Sequence, residues 1–235
     1  GWQAKYKHAP FDANIKEEEK IDQVIAWLEM PEDTRPKLIM TYWDGTDSVG
    51  HIHGTKHKKI YDQMIRQDQM LSLLFSRLEE INAWDYVTLL LVSDHGMIDV
   101  NQYISLKSIL DTLEIDYILS AGPAVAHVFI DDKDHRSQAL KLLSSQDHMA
   151  VYDRGNLPKS FHMDHPSRTG DIIVTTEPPY MFNNNPAGGP KGMHGYDPNL
   201  SEMHAIFGAI GFEVRNERIG PIHMTDVAPT IAKLL

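Results

Sequence analysis

Two short apolar runs in this chain each end abruptly in a knot of Asp, His and Gly. The first, KLIMTY at 37–42, leads into Trp43-Asp44-Gly45-Thr46-Asp47-Ser48-Val49-Gly50-His51. The second, YVTLLLV at 86–92, leads into Ser93-Asp94-His95-Gly96-Met97. The unbroken apolar run at 86–92 predicts a strand covered on both faces, as central parallel strands are, and 37–42 predicts a second buried strand. Around them the spacing turns helical. Ile21, Val24, Ile25 and Leu28 fall at i, i+3, i+4 and i+7 and predict a helix over 15–29, stopped by Pro31. Ile60, Met64, Leu71, Leu74, Phe75 and Leu78 share one stripe of a long helix over 57–80. VAHVFI (125–130), DIIVTT (171–176) and HAIFGAIG (204–211) predict further strands, with a short helix at 136–144. The tail predicts a helix with Thr225 as its N-cap, and 183–195 is too rich in Asn, Gly and Pro for regular structure. Strands alternating with helices predict an α/β fold.

In open α/β sheets, ligands gather beyond the carboxyl ends of the strands, so both polar knots stand where a site is expected. Asp47 and His51 are four apart, which puts both side chains on one face if the segment is helical. Asp94 and His95 are adjacent; in a loop after a strand both can turn toward one place, and Gly96 permits a sharp exit. Carboxylate oxygen mixed with imidazole nitrogen suits zinc. Each piece alone also fits an ordinary polar turn. His53 and His57 read as surface residues, and His162, Asp164 and His165, just before Pro166, as a loop. GGPKG (188–192) lacks the order of a phosphate loop. Asn199-Leu200-Ser201 fits a glycosylation acceptor, a tripeptide common by chance.

Composition narrows the chemistry. Acidic residues outnumber basic ones, 33 against 22 over 235 residues. A groove that tracks a nucleic-acid backbone needs clustered Lys and Arg; the short KHKK at 56–59 reads instead as a solvated helix start. Bound divalent metal would still let a small anionic substrate approach. The absence of cysteine removes thiolate ligands and nucleophiles. No apolar run approaches the roughly 20 residues of a membrane-spanning helix. The 13 histidines, several beside Asp and Gly, fit metal chemistry. The start Gly-Trp-Gln reads as that of an excerpt.

Three motifs occur in order: Asp47-(x3)-His51 with Gly54, then Ser-Asp-His-Gly-Met at 93–97, then Met193-His194-Gly195-Tyr196-Asp197. Together they resemble the type I phosphodiesterase/nucleotide pyrophosphatase family of the alkaline phosphatase superfamily. Trp27-Leu28, Pro31 and Arg35-Pro36 precede them, and Met203, Phe207 and Gly211 follow, in the family's pattern. The resemblance implies a three-layer α/β/α sandwich with a mostly parallel central sheet, of which residues 1–235 form part of a single catalytic domain lacking its N-terminal portion. It implies two zinc ions, with Asp47, His51 and His194 holding one and Asp94 and His95 helping to hold the other. The family's Thr or Ser nucleophile, a further Asp ligand and a phosphate-binding Asn would lie upstream, so no catalytic nucleophile is assigned in this chain. The implied chemistry is hydrolysis of nucleotide phosphodiesters or pyrophosphates through a phosphoryl-enzyme intermediate. Phe11 and Tyr42 are implied substrate contacts, with ordinary packing as the competing reading. The resemblance also implies a periplasmic or secreted protein and fixes no oligomeric state. A phosphomonoesterase or phosphonate hydrolase of the same superfamily, or a non-catalytic metal-binding relative, are the alternatives.

Overall fold

The computed structural model describes residues 5–6, 12, 14–185 and 188–235. In chain order the elements are α1 (Glu17–Leu28), α2 (Gly45–His53), α3 (Lys58–Glu80), β1 (Thr88–Val92), β2 (Ile98–Asp99), β3 (Gln102–Ile104), α4 (Leu106–Leu110), β4 (Ile118–Ala121), β5 (Val125–Phe129), α5 (Lys133–Ser144), β6 (Met149–Asp153), β7 (Ile172–Thr176), β8 (Tyr180–Phe182), β9 (Gly192–Met193), β10 (Phe207–Gly211) and α6 (Val227–Leu234). They group into two compact units. One comprises the described residues up to Gly45 with Gln63–Val92 and Phe207–Leu235; the other comprises Thr46–Asp62 and Ser93–Ile206.

The first unit is built on the two helical stripes. Ile21, Ile25 and Leu28 of α1 are buried together with Leu74 and Leu78 of α3 and with Ala83, and Ile39, Trp43 and Leu89 pack around them. Each such side chain withdrawn from water contributes about 1.5–3 kcal/mol. Arg66 bonds Glu17 at 2.9 Å and Arg77 bonds Asp22 at 2.9 Å along the rim of that seam. β1 pairs antiparallel with β10, Leu90 opposite Ala209.

The second unit holds a four-stranded sheet in the order β4-β5-β7-β6, antiparallel throughout. Ala126 and Val128 of β5 and Ile172 and Val174 of β7 are buried with Leu106 and Leu110 of α4 and Ala139 and Leu143 of α5. β5 alternates buried and half-buried residues with a period of two, whereas Ile172, Ile173 and Val174 are all fully buried. β5 and β7 are both inner strands of the sheet, and the difference shows that at 172–174 both faces of β7 are covered. Asp132 caps α5, accepting from Asp134 N at 2.9 Å and His135 N at 2.8 Å, so the helix starts before 136.

The α/β class stands, but four expectations need correction. The run 37–42 forms no ladder among the described residues. Nor is it the buried strand expected: Ile39 packs inward while Lys37, Leu38, Met40, Thr41 and Tyr42 are exposed, because an apolar run does not by itself supply the strand partners that would cover it. β1 is antiparallel to its partner, and its end residues Leu91 and Val92 are exposed. Among the described residues the parallel direction expected of most of the sheet is found between β3 and β8, and the other paired strands run antiparallel: apolar content reports burial and carries no information on strand direction. Finally, Thr225 lies inside a 3-10 turn, Met224–Asp226, and Asp226 occupies the N-cap position of α6.

Candidate metal centre

The expected residues of the first cluster converge within the second unit. α2 carries Asp47 in its first turn and His51 in its last, one helical turn apart on the same face. His194 arrives from the segment after β9. Asp47 Oδ1 lies 3.2 Å from His51 Nε2 and 3.6 Å from His194 Nε2. One ligand atom from each of the three residues lies within 4.8 Å of the others. Donors bound to one tetrahedral zinc at its usual bond lengths stand about 3.3 Å apart, so the spacing fits a shared ion.

The hydrogen bonding fits as well. His51 Nδ1 is 2.8 Å from the carbonyl oxygen of Gly192, which only accepts. Nδ1 therefore carries a proton, and in the neutral imidazole Nε2 presents its lone pair toward Asp47. Asp47 Oδ1 is buried and, among the described residues, has no hydrogen-bond partner. A carboxylate oxygen facing imidazole lone pairs, with no donor, is repelled unless a cation lies between them. His194 is held below the ordinary histidine range, first by burial and then by the neighbouring His95. It is therefore neutral at physiological pH, the form in which imidazole binds metal.

Asp94 and His95 are placed differently. The His95 ring stacks on His194 at 3.5 Å between centroids and 13° between planes. Its Nδ1 lies 2.9 Å from Gly96 O and its Nε2 3.6 Å from Asp94 Oδ1. Asp94 is mostly exposed. Among the described residues this pair gathers no third ligand around itself. Tyr42 belongs to the other unit; the residue is half exposed and its carbonyl accepts from Lys20 Nζ at 2.9 Å. Phe11 lies outside the described residues. His162, Asp164 and His165 form no ligand group among the described residues, and His165 Nδ1 accepts from Ser167 N.

Three supporting features escaped the sequence reading. Gly192 brings its backbone against α2: a Cβ there would lie 2.6 Å from Gly50 O and 2.8 Å from Met97 Sδ. Gly96 is needed for space and not for a left-handed turn, because a Cβ would overlap the Glu202 carbonyl. Tyr196, from the third motif, is buried in a small core with Val100, Ala124, Met181 and Met203, and its hydroxyl donates to Tyr180 O at 2.7 Å. Burial raises that phenol to about 12, so it remains a donor. The clue in each case is a Gly or aromatic residue inside a motif, which does not say what it touches.

The profile of the type I phosphodiesterase / nucleotide pyrophosphatase family matches residues 2–197. The chain belongs to this family. Among curated relatives, human bis(5′-adenosyl)-triphosphatase is 26% identical over 232 residues, covering 96% of this chain and 50% of that protein. Human ectonucleotide pyrophosphatase/phosphodiesterase family member 1 is 28% identical over 213 residues, 86% of this chain and 23% of that one. The chain thus spans half or less of the length of these relatives. The solved structure of murine ectonucleotide pyrophosphatase/phosphodiesterase 5 superposes with a TM-score of 0.77 at 26% identity, over 86% of this chain and 54% of that one. An inactive form of the same murine protein has been solved in complex with AMP. That neighbour has an alkaline phosphatase-like fold. No helix among the described residues is long and apolar enough to cross a membrane.

Proposed function

We propose that this chain carries the metal-binding part of a two-zinc hydrolase that cleaves phosphodiester or pyrophosphate bonds in nucleotides. The observation that carries the reading is the buried, unpartnered Asp47 Oδ1 set between the Nε2 atoms of His51 and His194. In this reading Asp47, His51 and His194 hold one zinc, and Asp94 and His95 contribute to a second. When bound, such a metal pair supplies positive charge to the phosphoryl oxygens and lowers the pKa of a nearby hydroxyl. The chain's own residues supply the frame: Gly192 O fixes the His51 tautomer, and the stacked His95 helps to keep His194 neutral. The attacking group is a Thr or Ser hydroxyl of the complete enzyme, and the reaction passes through a phosphoryl-enzyme intermediate.

The names of the relatives support nucleotide substrates, and Phe11 and Tyr42 are proposed to contact the substrate. The family match runs through both units, so both are read as parts of one catalytic domain. The ectonucleotide names of the relatives support a location outside the cytoplasm, and a periplasmic or secreted protein is proposed on that ground. The test combines native mass spectrometry of bound zinc with hydrolysis of bis(p-nitrophenyl) phosphate and p-nitrophenyl phosphate by the complete enzyme. The expected result is bound zinc and faster turnover of the diester. Faster turnover of the monoester would shift the assignment to a phosphomonoesterase. Absence of zinc together with absence of turnover would overturn it.

A further inference from the structure

We propose that a cavity bounded by His53, Gly54, Lys56, His57, Asp99 and Lys191 is an oxyanion site for a phosphate or pyrophosphate group, distinct from the candidate metal centre. The cavity lies within the second unit and has a volume of about 340 Å³, near the small end of ligand pockets. Its walls come from three segments: the end of α2 with the turn after it, the end of β2, and the residue before β9.

The charge pattern is unusual for this chain. Acidic residues exceed basic ones by 11, and several lysines are neutralised locally: Lys20 by Asp44, Lys58 by Asp62, Lys107 by Asp111. Lys56 and Lys191 form no ion pair with any described residue. The one carboxylate in the wall, Asp99, has Oδ1 committed to Thr55, whose backbone N–H and hydroxyl both donate to it. Two ammonium groups and one carboxylate thus line this solvent-facing depression and leave it net positive, and a cleft lined mainly by one sign of charge attracts counter-ions.

The backbone holds this wall in place before any ligand arrives. Lys191 N donates to His51 O at 2.7 Å, and Lys191 O accepts from Val100 N at 2.8 Å. Gly54 sits at φ +82°, a left-handed conformation suited to glycine, and donates to Gly50 O at 2.8 Å. A Cβ at Gly54 would lie 2.9 Å from Asp99 Oδ1 and 3.5 Å from Lys191 Cβ, so the floor is closely packed. The Lys56 and Lys191 ammonium groups in the lining match the oxygens of a phosphate. A metal ion does not fit here: among the described residues, Asp99, His53 and His57 form no convergent ligand group.

The choice of a phosphorus oxyanion rests on the proposed hydrolase reading, whereas binding of an anion does not. The anion could be the distal phosphates of a substrate or a released inorganic product. Acetylation footprinting of the chain as purified distinguishes them, with inorganic pyrophosphate and ADP as probes and mass spectrometry reading each lysine. Pyrophosphate or ADP should protect Lys56 and Lys191 while leaving Lys141 unchanged. Stronger protection by ADP identifies a substrate tail; stronger protection by pyrophosphate identifies a released product. Read at Lys56, the concentration for half-protection should rise about tenfold in Lys191→Ala and return toward wild type in Lys191→Arg. Protection should persist in Asp47→Ala. No protection by either probe, or protection that disappears in Asp47→Ala, would overturn the proposal, the latter by placing the anion at the metal centre. Zinc content and diester hydrolysis are separate readouts, so either reading can fail alone.

Discussion

Gly192→Ala is the substitution whose effect follows most directly from the geometry. The added methyl would lie 2.6 Å from the carbonyl oxygen of Gly50 in α2 and 2.8 Å from Met97 Sδ. Met97 can swing its flexible end aside, but Gly50 O is backbone in a helix and cannot. Relief requires β9 and α2 to separate by several tenths of an ångström. Two bonds cross that gap, His51 Nδ1–H to Gly192 O at 2.8 Å and Lys191 N–H to His51 O at 2.7 Å, and both would lengthen. Overpacking of this kind costs about 1–3 kcal/mol, and each weakened bond adds up to about 1 kcal/mol. A loss of about 2–4 kcal/mol is therefore expected in urea unfolding of the metal-free chain. Because Gly192 O orients His51, zinc affinity should also fall by about 10–100-fold. Gly220→Ala is the control: nothing lies within 4 Å of a Cβ there, and stability should change by less than about 0.5 kcal/mol. If Gly192→Ala matched wild type in both unfolding midpoint and zinc affinity, the close approach of β9 to α2 could not be what organises His51.

Three further outcomes are expected. Asp47→Asn should abolish zinc retention in native mass spectrometry while leaving the metal-free chain at least as stable as wild type, because it removes a carboxylate whose Oδ1 is buried with no donor among the described residues; a large loss of metal-free stability would show that Asp47 is already satisfied by the protein. Tyr196→Phe should cost about 1 kcal/mol by leaving Tyr180 O without its donor, measured by chemical denaturation, and a neutral result would remove that bond from the account. His127 is held below the ordinary histidine range by burial, and its Nδ1 accepts from Gly170 N. The unfolded chain therefore takes up the proton first as pH falls below about 6.5, and stability declines from there toward the lower folded value. His127→Gln should flatten the stability–pH curve in that window, and an unchanged slope would contradict the assignment.

Much of the local structure was legible in the order of residues. The i, i+3, i+4, i+7 spacing of Ile21, Val24, Ile25 and Leu28 specified α1 and its buried face, and the Asp47–His51 interval specified two ligands on one face of α2. The runs at 125–130 and 171–176 both became strands, because a short run rich in apolar and β-branched residues marks a segment that the core covers, on one face in β5 and on both at 172–174 of β7. The motif order also carried the family. Which segments meet could not be read from spacing. His51 and Gly192 are separated by 141 positions, yet one hydrogen bond between them sets the imidazole tautomer. The direction of β1, the missing ladder at 37–42 and the need for Gly at 96 and 192 depended equally on distant partners. Periodicity describes a segment's own faces; direction, close approach and the unpartnered oxygen of Asp47 are properties of pairs, and a pair exists only once the chain has folded.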